Sequence, residues 1–172
     1  MKTAPLLTLL LISLLGNLPV AASAQPYVIS TDGSEVTDQK TGLIWRRCSE
    51  GMYWNSVTCV GVADTFTYHG ALQYAANQTG YAGEVWRVPE VQELKSIVDM
   101  DSNLDLVNGV KLAATDLSIF PETPASWFWS ASHARSNPEN AVDVDFYDGL
   151  AGKDVGSDVN KHYHVRLVRS VR

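Results

Sequence analysis

Alternating apolar and polar residues in the C-terminal half constrain the fold more than any other feature of the sequence. Segments 141–147 (AVDVDFY) and 162–169 (HYHVRLVR) place every second side chain on one face, and segment 127–132 (WFWSAS) is short and aromatic. A period of two residues is typical of a strand with one buried face. The three segments therefore predict an antiparallel sheet in the second half of the chain.

Helical spacing replaces this alternation in the first half. Thr67 is a candidate N-cap for a helix that continues through about residue 77, and Pro89 suits the first turn of a second helix. Segment 100–126 has no strong period and contains two prolines. Together these features predict an α+β fold with two helices, an antiparallel sheet and a long loop region.

Residues 1–24 have the pattern of a secretory signal peptide. Lys2 is positively charged, residues 6–15 are almost purely apolar, and residues 22–24 (ASA) form a small-residue cleavage site. The apolar run is too short for a membrane span, and no later run reaches that length. The sequence therefore predicts export to the periplasm or the extracellular space, with no integral membrane segment after cleavage.

The remaining chain is predicted to hold one domain. Residues 25–35 form a polar lead-in, and residues 36–172 are long enough for a single core. The full sequence has 19 acidic residues against 13 Lys and Arg, and a formal net charge of −6. Nucleic acid, whose phosphates require a basic surface, is excluded as a partner, and highly sulfated glycans are disfavoured on the same ground.

Cys48 and Cys59 are the only cysteines of the chain. An even pair, close in sequence and in an exported protein, predicts a disulfide that closes a short loop. A redox or metal-binding thiol pair is the alternative, although the spacing is not C-x-x-C.

Tyr53, Trp54 and Asn55 lie inside that loop and are the candidate ligand-binding residues. Exposed aromatic rings next to amides stack on sugar faces or anchor a protein partner. Packing of the rings beneath the loop is the alternative. The other tryptophans are expected in the core, with the exception of one of the pair Trp127 and Trp129.

An acidic stretch after the second helix is a candidate calcium site. Oxygen ligands at alternating positions suit Ca²⁺, and the chain offers Asp99, Asp101, Asn103 and Asp105. Leu104 and Val110 stand where an EF-hand loop has its glycine and its bidentate glutamate, so a solvated helix exit is the alternative. Apart from this Ca²⁺ site, no cofactor is expected.

A second metal site would require two of the predicted strands to pair. His162 and His164 share one face of their segment, and Asp143 and Asp145 share one face of theirs. Neighbouring strands would combine them into a His/Asp site. Charge pairing across a solvent-exposed face, with Arg166 included, is the alternative.

Catalytic motifs are missing from the sequence. It contains no G-x-S-x-G, no H-E-x-x-H and no phosphate-binding loop, so the chain is predicted not to be an enzyme. Arg87 and Glu93 are candidates for an ion pair beneath the second helix, and such a pair usually has an architectural role.

The motifs TGLIW, WRVPEVQEL, FPETP, WFWSAS, AVDVDFYDG and YHVRLVR follow one another between residues 36 and 169. This order resembles the bacterial Lcl C-terminal domain family. The resemblance implies a C-type-lectin-like fold, in which the N- and C-terminal strands pair, two helices flank the sheet, and a long loop region lies beside a second small sheet. Many members carry two further cysteines, where this chain has Ala75 and Leu167; their joint absence is expected if those cysteines pair with each other.

The resemblance implies exported surface or periplasmic modules, one of which is an adhesin for host glycosaminoglycans, and it supplies no activity. The chain is therefore expected to be an exported, non-enzymatic binding module that recognises a glycan or a protein ligand, with adhesion as a role. Surface loops at 49–58, 100–126 and 133–140 would carry the binding, and homo-oligomers are compatible with it. One alternative is an enzyme of the formylglycine-generating type, or a metal-assisted enzyme, on the same fold. Another is a structural subunit of a cell-surface assembly.

Overall fold

The computed structural model describes residues 26–78, 85–99, 106–107, 110–150 and 156–171. The predicted signal peptide, residues 1–24, lies outside the described residues, as do Asp101, Asn103 and Asp105 of the predicted calcium site. No helix within the described ranges is long and apolar enough to span a membrane.

Two helices and ten short strands make up the described part of the chain, which confirms the α+β prediction. In chain order they are β1 (Tyr27–Ile29), β2 (Glu35–Asp38), β3 (Leu43–Arg46), β4 (Tyr53–Trp54), β5 (Cys59–Val60), α1 (Tyr68–Asn77), α2 (Val91–Ser96), β6 (Leu106–Val107), β7 (Val110–Lys111), β8 (Trp127–His133), β9 (Ala141–Asp145) and β10 (Val168–Ser170).

A four-stranded antiparallel sheet, in the order β1-β2-β3-β10, gathers strands from both ends of the domain. The turn between β2 and β3 is tight, because Asp38 accepts hydrogen bonds from the N–H of Lys40 and the hydroxyl of Thr41. Gly42 there has φ +71°, a left-handed conformation that favours glycine. β10 pairs with β3, so the C-terminal strand pairs with a strand of the N-terminal region, as the resemblance implies, while β1 stands at the opposite end of the strand order.

The first helix begins and ends where the sequence predicts. The Thr67 hydroxyl accepts a hydrogen bond from the N–H of Gly70 at 3.2 Å, which caps α1. Ala71 and Ala75 are buried on its inner face. Ala75 and Leu167 lie in the same buried cluster, which agrees with the expectation that cysteines at these two positions would pair.

The second helix begins later than predicted. Pro89 precedes the N-cap Glu90 instead of occupying the first turn of α2. Glu93 accepts a hydrogen bond from the N–H of Glu90 at 2.7 Å, and the N–H of the first helical residue donates to the Ser132 hydroxyl of β8 at 3.0 Å. A remote strand therefore supplies part of the cap, so the sequence around Pro89 does not determine the helix start alone.

β8 and β9 pair antiparallel, which confirms two of the three predicted C-terminal strands. Their solvent-exposed face was expected to carry Asp143 and Asp145, but these side chains are only 1% and 8% exposed. The expectation is therefore wrong, and a later segment pairs with the start of β9. The backbones of Ala141 and Ser157 exchange hydrogen bonds of 3.1 and 2.8 Å there.

Segment 162–169 is only partly a strand. β10 begins at Val168, while Tyr163 and His164 each make a single bridge, to Phe66 and Phe128. Arg166 was expected on a solvent-exposed face and is instead 0% exposed, so that prediction is wrong as well.

Two buried clusters form the core, and three tryptophans lie in them. Trp45 packs with Phe120 and Phe128 between the four-stranded sheet and the β8–β9 hairpin. Trp86 and Trp129 belong to the second cluster, against α1. Trp127 is 38% exposed, which resolves the open choice between the last two tryptophans.

The guanidinium of Arg166 lies among backbone and hydroxyl oxygens. Nη1 donates to the carbonyls of Arg46 and Arg47, and Nη2 donates to the hydroxyls of Ser49 at 3.2 Å and Thr123 at 2.6 Å. Burial lowers the pKa of Arg166 to about 9. The side chain thus joins the end of β3, the disulfide segment and a distant turn to the C-terminal segment.

Replacing Arg166 with leucine is expected to lower the free energy of unfolding by about 3–5 kcal/mol, because four buried acceptors lose their donor. Unfolding in guanidinium chloride measures this decrease in the free energy of unfolding. Arg135→Leu is the matched control, since Arg135 is exposed, and its effect should stay within about 0.5 kcal/mol. Equal small effects of the two substitutions would contradict the structural role of Arg166.

Candidate functional site

A disulfide-closed hairpin, formed by β4 and β5, projects next to the four-stranded sheet. Cys48 and Cys59 are bonded with a Cα–Cα distance of 5.5 Å, which confirms the predicted disulfide. The Asn55 carboxamide oxygen accepts hydrogen bonds from the N–H groups of Val57 and Thr58, both at 2.9 Å. This oxygen is therefore used in the hairpin turn, and a ligand-binding role for Asn55 stays a prediction.

A pocket of about 240 Å³ lies between this hairpin and the sheet, and we call it the hairpin pocket. Its charged and aromatic lining consists of Glu35, Arg46, Glu50, Tyr53, Trp54 and Trp86. The structure thus brings two of the three predicted ligand-binding residues to one concave site. It adds four residues that sequence reasoning had not assigned to a ligand.

Tyr53 and Trp54 differ in how freely they present their rings. Tyr53 is 65% exposed, as expected for a ligand-stacking residue. Trp54 is half-buried, with the guanidinium carbon of Arg47 4.4 Å from its ring centroid. Gly33 packs against the edge of the indole ring, since a Cβ at position 33 would stand 2.7 Å from the indole Nε1. Tyr53 is accordingly the accessible aromatic surface, and Trp54 is a fixed wall.

Arg47, whose guanidinium lies over Trp54, connects its own segment to the backbone at Gly33 and at residues 118–119. Its guanidinium donates to the carbonyls of Gly33 at 2.9 Å, Ser118 at 2.9 Å and Ile119 at 2.8 Å. Burial lowers the pKa of Arg47. Sequence reasoning missed this residue, because nothing in the adjacent pair Arg46-Arg47 indicates which guanidinium turns inward.

Glu50 is a buried carboxyl at the pocket wall. Its Oε2 accepts hydrogen bonds from Nη1 of Arg46 at 2.8 Å and from the Tyr74 hydroxyl at 2.9 Å. Its Oε1 accepts none from the described residues. Burial raises the pKa of Glu50 even though Arg46 and, more remotely, Arg166 oppose the shift. Burial and then the Glu50 charge raise the pKa of Tyr74 to about 12.

Trp86 forms the inner aromatic wall and is covered by two guanidinium groups. The guanidinium carbons of Arg46 and Arg169 lie 4.9 and 5.2 Å from its ring centroid, within cation–π range. Arg169 also pairs with Glu35 at 2.7 Å. Arg46 and Arg169 therefore each have a carboxylate partner, whereas Arg47 donates only to backbone carbonyls.

The sequence profile of the Lcl C-terminal domain family matches residues 34–169. The chain belongs to the Lcl C-terminal domain family. The match extends from β2 to β10 and includes the whole charged and aromatic lining of the hairpin pocket, and it confirms the resemblance seen in the sequence. No curated protein and no solved structure matches the chain significantly.

The predicted calcium residues are only partly visible in this Lcl C-terminal domain. Asp99 is described, and its N–H donates to the carbonyl of Ala114 at 3.0 Å. The pKa of nearby Tyr27 is raised to about 12, mainly by burial and then by the negative charges of Asp38, Asp116 and Asp99. Among the described residues, no group of three or more His, Cys, Asp or Glu side chains is arranged to hold a metal ion.

The second predicted metal site is not assembled. β8 lies between the two segments that were expected to pair, since Phe128 faces Val144 of β9 on one side and bridges His164 on the other. His164 contacts the carbonyl of Asp64 through Nδ1 at 2.9 Å. The proposed His/Asp combination is therefore wrong.

The predicted ion pair between Arg87 and Glu93 is confirmed. Nη1 and Nη2 of Arg87 donate to the two carboxylate oxygens of Glu93, each at 2.6 Å. The pair lies at the start of α2 and outside the hairpin pocket, in agreement with an architectural role.

Removing the disulfide in the double variant Cys48→Ala, Cys59→Ala is expected to lower the free energy of unfolding by about 2–3 kcal/mol, because a short loop regains its freedom in the unfolded chain. Urea unfolding of the variant measures the effect. Wild type in a reducing agent should match the variant. A loss below about 0.5 kcal/mol would show that the hairpin is held by its other contacts.

Glu50→Gln is expected to change how stability depends on pH. The folded-state pKa of Glu50 is raised, so its contribution is complete below the unfolded-state pKa and is lost as the pH rises through the folded-state pKa. The stability of wild type relative to Glu50→Gln should therefore fall as the pH is raised from the ordinary pKa of a glutamate, about 4.3, to neutral pH. Urea unfolding of both proteins across this range gives the difference. A difference that grows with pH would mean that the attraction of Arg46 outweighs burial.

Proposed function

We propose that this Lcl C-terminal domain is an exported, non-enzymatic binding module with a C-type-lectin-like fold, and that it recognises a glycan through the hairpin pocket. One observation carries the proposal: the exposed ring of Tyr53 stands at a concave site with a charged and hydrogen-bonding wall. Sugar recognition combines these features, because a ring face stacks on an aromatic side chain while hydroxyl groups bond to polar groups.

The size of the pocket agrees with a single sugar ring as its occupant. Pockets for drug-sized ligands usually enclose about 300–1,000 Å³, and the hairpin pocket encloses about 240 Å³. A longer glycan would place one residue in the pocket and continue over the exposed hairpin surface.

Export to the periplasm or the cell exterior is part of the same proposal. The predicted leader at residues 1–24 supports it, and the disulfide between Cys48 and Cys59 agrees with an oxidising compartment. Adhesion is a role that such a module would serve.

The enzyme alternative requires a reactive cysteine pair. Both cysteines are joined in the hairpin disulfide, and there is no free cysteine in the sequence, which favours binding over a formylglycine-generating activity. A structural subunit of a surface assembly remains the other alternative. It would show itself as a stable oligomer that binds no soluble ligand.

Glycan-array binding of the chain without its predicted leader tests the proposal, in calcium and again in chelator. We expect binding that survives chelation and that falls about tenfold in Tyr53→Ala, the effect of losing a stacking contact of roughly 1.4 kcal/mol. Tyr147→Ala is the matched control, because Tyr147 is an exposed tyrosine outside the pocket lining.

Other outcomes of the array point elsewhere. Binding lost in chelator would move the site to the acidic stretch that begins at Asp99. Equal binding by the two tyrosine variants would remove the hairpin pocket from the mechanism. An array with no binding in either condition would favour a protein ligand or an assembly role.

A further inference from the structure

Arg46 lines the hairpin pocket and has hydrogen-bond donors that the described residues leave unused. A guanidinium carries five N–H groups. Nη1 of Arg46 donates to Glu50 at 2.8 Å and Nη2 donates to Gln78 at 3.2 Å, and its other side-chain donors have no acceptor among the described residues. The side chain is 29% exposed, against 3% for Glu50. A ligand in the pocket therefore meets the guanidinium of Arg46, whereas the carboxyl of Glu50 lies behind it.

The guanidinium of Arg46 is held in place before any ligand arrives. Its central carbon lies 4.9 Å from the ring centroid of Trp86, and the bonds to Glu50 and Gln78 hold two of its nitrogens. A ligand thus binds without immobilising a long side chain. A planar guanidinium matches the two oxygens of a carboxylate, and hydrogen bonds between charged partners are about twice as strong as neutral ones.

The two carboxylates of the lining already have cationic partners. Glu50 is paired with Arg46 at 2.8 Å, and Glu35 is paired with Arg169 at 2.7 Å. An incoming carboxylate that accepts from the unused donors of Arg46 leaves both pairs intact. It therefore avoids the cost of stripping a buried charge of its partner.

Arg47 adds a positive charge behind the aromatic wall. Its guanidinium lies 4.4 Å from the ring centroid of Trp54, donates to backbone carbonyls, and is little screened because the residue is only 5% exposed. Asp32, whose carboxylate accepts from the hydroxyl of Ser34 at 2.7 Å, is exposed and is screened more strongly by solvent. The local field therefore favours one added negative charge.

The same features disfavour a polyanionic chain. Arg46 is the only basic side chain among the described residues that line the pocket, and the pocket encloses about 240 Å³, close to the size of one sugar ring. The whole chain has a net charge of −6, which repels a ligand with many negative charges. A single carboxylate on the last residue of a glycan fits both the charge and the volume.

We propose that the hairpin pocket recognises the terminal sugar residue of a glycan by its carboxylate group, which accepts hydrogen bonds from the unused donors of Arg46 while the sugar ring stacks on Tyr53. This inference rests on the glycan-binding function proposed above and specifies its substrate class. The class comprises oligosaccharides that end in a sialic acid or a uronic acid, and polysulfated chains lie outside it.

The test uses oligosaccharides that end in N-acetylneuraminic acid or glucuronic acid, each beside its methyl ester, on the chain without its predicted leader. At least one acid should bind, and its ester should bind at least tenfold more weakly, because the ester keeps the sugar ring and loses the charge. Affinity for the acid should fall as salt is raised. A polysulfated chain should bind more weakly per sugar residue than the acid.

Arg46→Gln should weaken binding of the acid at least tenfold and leave the affinity for the ester nearly unchanged. Arg46→Lys keeps the charge but loses the paired N–H groups, so its affinity should lie between those of Arg46→Gln and wild type. Arg135→Gln is the matched control, since it makes the same change of charge at an exposed position outside the pocket lining. Unfolding midpoints establish that each variant is folded, and the comparison of acid with ester on wild type requires no variant.

The outcomes separate this inference from the function on which it rests. Equal affinity for acid and ester, with binding that still depends on Tyr53, would overturn the carboxylate assignment and leave the glycan-binding function standing. An equal effect of Arg46→Gln and Arg135→Gln, or tighter binding of a polysulfated chain, would overturn it as well. Absence of binding to every sugar, acidic, esterified or neutral, would overturn both proposals.

Discussion

The fully buried guanidinium of Arg166 is the interaction on which the rest of the structure depends. It donates to two backbone carbonyls at the end of β3 and to the hydroxyls of Ser49 and Thr123. Four acceptors from two stretches of the chain, residues 46–49 and Thr123, converge on one planar donor, so the relative position of the two stretches is determined by it. Among the described residues no carboxylate pairs with it directly, and burial lowers its pKa to about 9 while the more distant charge of Glu50 opposes the shift.

The hairpin pocket is built outward from this anchor. The chain that leaves β3 sends Arg46 toward the pocket, Arg47 into the interior, and then reaches the disulfide at Cys48 and the buried carboxyl of Glu50. Arg166 donates hydrogen bonds to this short stretch, and the guanidinium of Arg47 lies over the ring of Trp54. A rigid base of this kind lets an exposed ring such as Tyr53 meet a ligand without first losing conformational freedom.

Local signals predicted the elements well. The Thr67 cap, the disulfide and the β8–β9 strands depend on residues near one another in the chain, and all were predicted. Prediction failed where a remote segment contributes: Ser132 of β8 accepts a hydrogen bond from the first N–H of α2, and Ser157 pairs with the start of β9. The alternation had placed the β9 carboxylates in solvent, and they are buried. The alternation correctly predicted that Val165 and Leu167 are buried. It placed Arg166, which lies between them, in solvent, whereas the structure buries it.

The sequence by itself determined the α+β class, the helix cap and the disulfide, because spacing, capping chemistry and cysteine pairing act over short stretches of chain. The tertiary structure alone decided which charges are buried and where the pocket lies. Burial of a charged side chain costs free energy that partners must offset, and those of Arg166 are remote in sequence: its Nη1 donates to a carbonyl 120 residues away. Glu50 likewise acquires its environment from α1 and β3, so its position in a polar loop gave no sign of a role in the pocket.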